Sequence, residues 1–190
     1  MVRKALLVLA LAALILPVSL FAAANPGWTS PGNLDVAVGL HYSGWGLGVG
    51  GGVEFMFLNI PIADVTSIQI GATARGYADL LASYWGTPAF GVGGMITAHW
   101  SPKTLNLNFS YLANIDFYIG LGLGVNIMPG YSSSLYYLGS AYNPNGLGIW
   151  QMEGVSYYFN PNLGVFAEYD YYGGGYTGNY GGTLGIQFKL

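Results

Sequence analysis

"GWGLGVGGGVEFMF", residues 44–57, supports two incompatible structures. Gly46, Gly48 and Gly51 stand at G-x-G-x-x-G spacing, the pattern by which a glycine turn lets a pyrophosphate approach a helix N-terminus. The same residues also alternate. Leu47, Val49, Val53, Phe55 and Phe57 share one parity, and Gly48, Gly50, Gly52 and Glu54 the other. A dinucleotide site needs a helix straight after the glycine turn. Here residues 53–57 keep the period of two, and the chain then enters a Pro61-containing turn. The period decides in favour of a strand with one apolar face and one small or charged face.

That pattern recurs along the chain. Alternating segments fall near residues 34–43, 46–58, 66–78, 88–100, 115–128, 146–159, 163–172 and 179–190. In "FYIGLGLGVNIM", Phe117, Ile119, Leu121, Leu123, Val125 and Ile127 oppose Tyr118, Gly120, Gly122, Gly124 and Asn126. A soluble sandwich also alternates, but its solvent face carries Lys, Glu and Asp. Only 7% of this chain is charged, against about 25% in an ordinary soluble domain. Residues 1–24 have the form of a cleaved Sec signal peptide: Arg3 and Lys4, an apolar run, then Ala22-Ala23-Ala24. After it no apolar run approaches the ~18 residues of a membrane helix. Together these features predict an all-β, eight-stranded antiparallel transmembrane β-barrel over 34–190, with 25–33 as a lead-in segment.

The charges follow the same parity. Beyond the signal segment stand three basic residues, Arg75, Lys103 and Lys189, against eight acidic ones, which argues against nucleic acid as a partner. Asp35, Glu54, Arg75, Asp116, Glu168, Asp170 and Lys189 take inward positions, whereas Asp64, Asp79 and Lys103 fall in connections. Glu153 breaks the rule, and a β-bulge near residues 150–153 is expected to turn it inward. Arg75 is expected to cross the lumen to Glu168, sharing Asp170, and Lys189 to pair with Asp35 near Glu54, since buried charges need partners. Inward glycines should leave room for Tyr77, Tyr118, Trp150, Phe166 and Tyr172, because eight strands enclose a lumen just wide enough for side chains. Outward Phe57, Trp100, Phe117, Phe159 and Phe188 gather at one interface as an aromatic girdle, with Tyr42, Tyr169 and Tyr171 toward the other.

The signal segment, the glycine-alternating strands, "DFYIGLGLG" at residues 116–124 and the terminal "GGTLGIQFKL" resemble the small bacterial outer-membrane barrels of the OmpA/OmpX/OmpW-like group. The resemblance implies a bacterial outer-membrane location, contact with lipid and lipopolysaccharide, and insertion by the outer-membrane assembly machinery. Members of that group usually end in an aromatic residue that the machinery reads. This chain ends Phe188-Lys189-Leu190, a degenerate form of that signal.

No catalytic residue, cofactor or metal site is expected. His41-Tyr42-Ser43, with Glu54 downstream, is loosely similar to the set used by lipid A deacylases. Pairing across a turn at 44–45, however, would place Glu54 about six residues from His41, roughly 20 Å away at ~3.4 Å per residue. His99 is read as inward and isolated. The segment from Pro129 to Gly146 is rich in Tyr, Ser, Gly and Asn, an adaptable contact chemistry, with Tyr131, Tyr136, Tyr137 and Tyr142 as candidate outer-loop contacts. The expected role is that of a monomeric, filled barrel serving envelope structure or surface interaction through loops 79–87, 129–145 and 173–178. A narrow conduit is the alternative, and a lipid A-modifying enzyme a remote one.

Overall fold

A strand that alternates in sequence has to alternate in environment, and each strand of the computed structural model does so. The structure describes residues 27–62, 65–81, 87–105, 111–129, 145–174 and 177–190. Within them run β1 (Leu34–Ser43), β2 (Gly46–Ile62), β3 (Thr66–Leu81), β4 (Ala89–Trp100), β5 (Ile115–Ile127), β6 (Gly146–Asn160), β7 (Leu163–Gly174) and β8 (Thr177–Lys189). Each pairs antiparallel with the next. β1 closes on β8 from Asp35↔Lys189 to Ser43↔Gly181, making a complete barrel.

Burial is inverted relative to a water-soluble protein. Leu121 is 61% exposed, while the inward-facing Asp116 on the same strand and Thr97 on the adjacent β4 are at 0%. The outward face is Leu, Val, Ile, Phe and Tyr; the inward face holds Asp, Glu, Arg, His, Asn, Gln and Thr among glycines and a few large rings. A closed barrel of this kind leaves no strand edge unpaired and offers an apolar exterior, which is the requirement for crossing a hydrocarbon layer with strands.

Glycine sets where the large rings lie. A methyl group added at Gly154 would fall within the Tyr118 ring, one at Gly91 within Tyr77, and one at Gly93 within Trp150. Gly185 makes the corresponding space for Phe166, at 2.8 Å. The rings therefore occupy the volume that the opposing strands leave empty. At this diameter the interior is closed by side chains.

Several sequence expectations need correction. β3 extends to Leu81, so Asp79 lies in a strand, fully buried in the lumen, and not in a connection. β2 extends to Ile62, and the β2–β3 register shifts between Met56 and Leu58. Phe57 is the unpaired, half-buried residue of that bulge, and beyond it the parity inverts so that Asn59 faces inward. The expected bulge at Glu153 is absent: β6 keeps regular pairing with Ile119 and Tyr169 there, and Glu153 faces outward. Between β4 and β5 the described residues form two 3-10 turns, Pro102–Leu105 and Leu112–Asn114. Residues 1–26 lie outside the described part, as do Asp64 and Tyr131, Tyr136, Tyr137 and Tyr142.

The glycine arrangement makes a direct prediction. Gly154→Leu forces a side chain into the Tyr118 ring and is expected to destabilise the barrel by about 1–3 kcal/mol. Gly94→Ala, on the outer face with its nearest atom 3.9 Å away, is expected to be close to neutral. Urea titration of the refolded barrel, read by gel mobility without heating, distinguishes the two.

Candidate functional site: the charged lumen

The inward residues of five strands meet at the middle of the barrel. Arg75, on β3, faces β7 across the ring, and its Nη2 lies 3.3 Å from Glu168 Oε2 and 3.8 Å from Glu54 Oε2 on β2. Glu54 Oε1 accepts a hydrogen bond from Thr97 and lies 3.0 Å from His99 Nε2 on β4. The other ring nitrogen of His99, Nδ1, is 2.7 Å from Asp116 Oδ2 on β5. Tyr118 donates to Glu168 Oε2 at 3.2 Å and stacks on His99 with ring centroids 5.1 Å apart. A continuous chain of buried side chains therefore runs Asp116, His99, Glu54, Arg75, Glu168, Tyr118. His99 is thus a central link and not an isolated residue, and Asp170 takes no part in the Arg75 group.

Asp170 belongs to a second group nearer the outer end. His41 Nδ1 lies 2.8 Å from Asp79 Oδ1, and His41 Nε2 lies 3.4 Å from Asp170 Oδ2. Ser43 donates to Asp79 Oδ2 at 2.6 Å and accepts from the Trp45 backbone N–H at 3.0 Å. Tyr77 stacks on His41 at 4.3 Å and donates to Asn126 Oδ1 at 2.7 Å. Above this layer Trp45, Trp150, Tyr172 and Met128 fill the outer end. Each histidine thus stands between two carboxylates. An imidazole ring donates from both nitrogens only as its cation, so this placement lets two acids share one cation.

The arrangement does not favour acyl transfer. A serine nucleophile needs its hydroxyl hydrogen-bonded to the base that takes its proton. Here Asp79 lies between Ser43 and His41 and accepts the serine hydroxyl itself, while Glu54 serves the central group. Among the described residues no set of three or more His, Asp or Glu side chains is placed to hold a metal ion.

The inner end is closed by the lead-in. Trp28 stacks on Tyr158 at 4.9 Å and 12°, its indole N–H donates to the Ala113 carbonyl, and Lys103 Nζ lies 4.3 Å above its ring. Lys189 donates to the Trp28 carbonyl and lies 4.5 Å over Tyr158. The expected Lys189–Asp35 contact is therefore replaced. The two are register partners across β1 and β8, but the ammonium is drawn to a carbonyl and a ring face at the mouth. Gln69 seals the same end through Asn59 and Ser67, at 2.9 and 2.7 Å. Outside, Trp100 stacks on Phe117 at 5.9 Å and donates to Thr66 at 2.9 Å, and Phe159 on β6 and Phe188 on β8 also face outward.

Two features of this site escape the sequence expectations. Asp79 continues the inward parity of Thr73, Arg75 and Tyr77, so extending the strand by one step finds it. Nothing in the sequence marks the Trp28 closure, which joins residues 161 positions apart.

No protein-family model matches the chain, and no curated protein sequence does either. Solved structures do. Ail, the attachment invasion locus protein of Yersinia pestis, superposes with a TM-score of 0.52 at 11% identity, covering 85% of this chain and 100% of that one. Neisserial surface protein A, NspA, gives 0.51 at 16% identity over 83% of this chain and 95% of its own. The fold is the small outer-membrane β-barrel fold. At these identities the likeness is one of architecture, and none of the lumen groups above is carried over from those proteins.

Removing the cation from the central group leaves two buried carboxylates facing each other. Arg75→Met is therefore expected to cost about 3–5 kcal/mol, and the further change Glu168→Leu to recover part of that loss. Urea unfolding of both variants in lipid vesicles measures the order.

Proposed function

We propose that this chain is an integral bacterial outer-membrane barrel that acts as a rigid, plugged scaffold without catalytic activity, presenting its outer loops for envelope structure or surface contact. The carrying observation is the filled lumen. The Arg75–Glu168 contact crosses it at mid-height, aromatic side chains occupy the outer end, and Trp28 with Lys189 closes the inner mouth. The apolar exterior supports placement in a membrane, with lipid and lipopolysaccharide as its surroundings. Residues 1–24 serve export as a Sec signal peptide in this reading, and the outer-membrane assembly machinery inserts the barrel. Trp100, Phe117, Phe159 and Phe188 mark the inner interface. Ail and NspA, named for attachment and for the surface, are consistent with a role at loops 82–88, 129–145 and 175–176.

Purified, refolded protein in planar lipid bilayers tests this reading. The scaffold is expected to leave conductance at the lipid background. Reproducible unitary conductance would replace it with the narrow conduit. Fractionation of cells expressing the chain is expected to place it in the outer membrane, where it runs as a heat-modifiable band.

A further inference from the structure

Among the described residues, one charged side chain faces outward on a strand: Glu153. It is the central residue of β6, between Ile119 on β5 and Tyr169 on β7. Gln151 lies on the same face, and its Nε2 donates to Glu153 Oε1 at 2.9 Å. This bond uses one N–H of the amide and one oxygen of the acid. The second of each has no partner among the described residues. Arg75 and Lys189 face the lumen, and Lys103 lies in the inner turn, so none of these cations serves this wall. Beside the pair runs a groove of about 330 Å³ lined by Ile70, Ile96, Ala98, Ile119 and Leu121.

Acyl chains satisfy neither group, and a polar side chain in a hydrocarbon layer marks a contact whose partner must be identified. We propose that this wall is an interface between two copies of the chain, in place of the monomer that the sequence suggests. The argument is self-complementarity. A free donor and a free acceptor on one face suit a two-fold interface, since there residue i meets j and j meets i. Gln151 of each copy then donates to Glu153 of the other, and all four groups are satisfied at once. A cationic partner would serve Glu153 and leave the amide unpaired. The groove over Ala98 receives the outward side chains of the opposing β6. The inference rests on the membrane placement proposed above.

The chain contains no cysteine, so single-cysteine crosslinking is clean. The full chain is refolded into phosphatidylethanolamine/phosphatidylglycerol vesicles, and heat-modifiable mobility verifies insertion. Val155→Cys, on the proposed interface, is expected to oxidise to a dimer. Val53→Cys, on the opposite wall, is expected not to. Adding Gln151→Leu with Glu153→Leu should lower the dimer fraction about tenfold, whereas Glu153→Gln, which keeps both a donor and an acceptor, should retain it. Equal crosslinking at the two walls, crosslinking indifferent to the leucine pair, or an inserted protein that stays monomeric overturns the interface while leaving the membrane reading intact. Failure to insert overturns both.

Discussion

A charged group that cannot face outward has to find its partner across a lumen about one side chain wide. That constraint organises the molecule. Closing eight strands brings β3 opposite β7, and Arg75 then reaches Glu168 without leaving its own strand's inward row. Glu54 is drawn to the same guanidinium, and His99 ties Glu54 to Asp116, so five strands are joined by one set of charges. The packing of rings above and below depends on that centre being fixed, because each large side chain occupies space left by a glycine on another strand.

The two histidines show how acidity is managed in so narrow an interior. Six of the described acids point inward against two fixed cations, and a shortage of that kind is costly unless each carboxylate has a donor. His41 and His99 each serve two acids. Thr97, Ser43 and Tyr118 add hydroxyl donors to Glu54, Asp79 and Glu168 respectively. The polar interior is thus a structural element built from titratable side chains. It resembles an active site in its residue types but not in its geometry, since Asp79 takes the proton donor that a catalytic histidine would need.

Much of this was legible in the sequence because a barrel wall is a period-two object. Strand positions, inward charges and the Arg75–Glu168 relation all follow from parity plus ring order. Parity fails where a residue is inserted or where the strand outruns the pattern. The unpaired Phe57 reverses the faces of the rest of β2, and Asp79 was hidden because Leu80 and Leu81 blur the alternation at the end of β3. The contacts of His99 depend on diagonal neighbours across strands, which no single strand displays. Glu153 is the converse case: β6 keeps its regular pairing, so the periodic pattern holds and the acid stays on the outer face.

The inner closure also bears on the order in which the molecule can be built. Trp28 lies near the start of the described chain, yet its carbonyl is held by Lys189 and its ring by Tyr158. The Lys189 contact requires β8 to have met β1, because Lys189 takes its position from that last seam. Contacts between residues so distant in sequence form late and slowly. The bond from Lys189 to the Trp28 carbonyl is therefore a mark of the closed barrel.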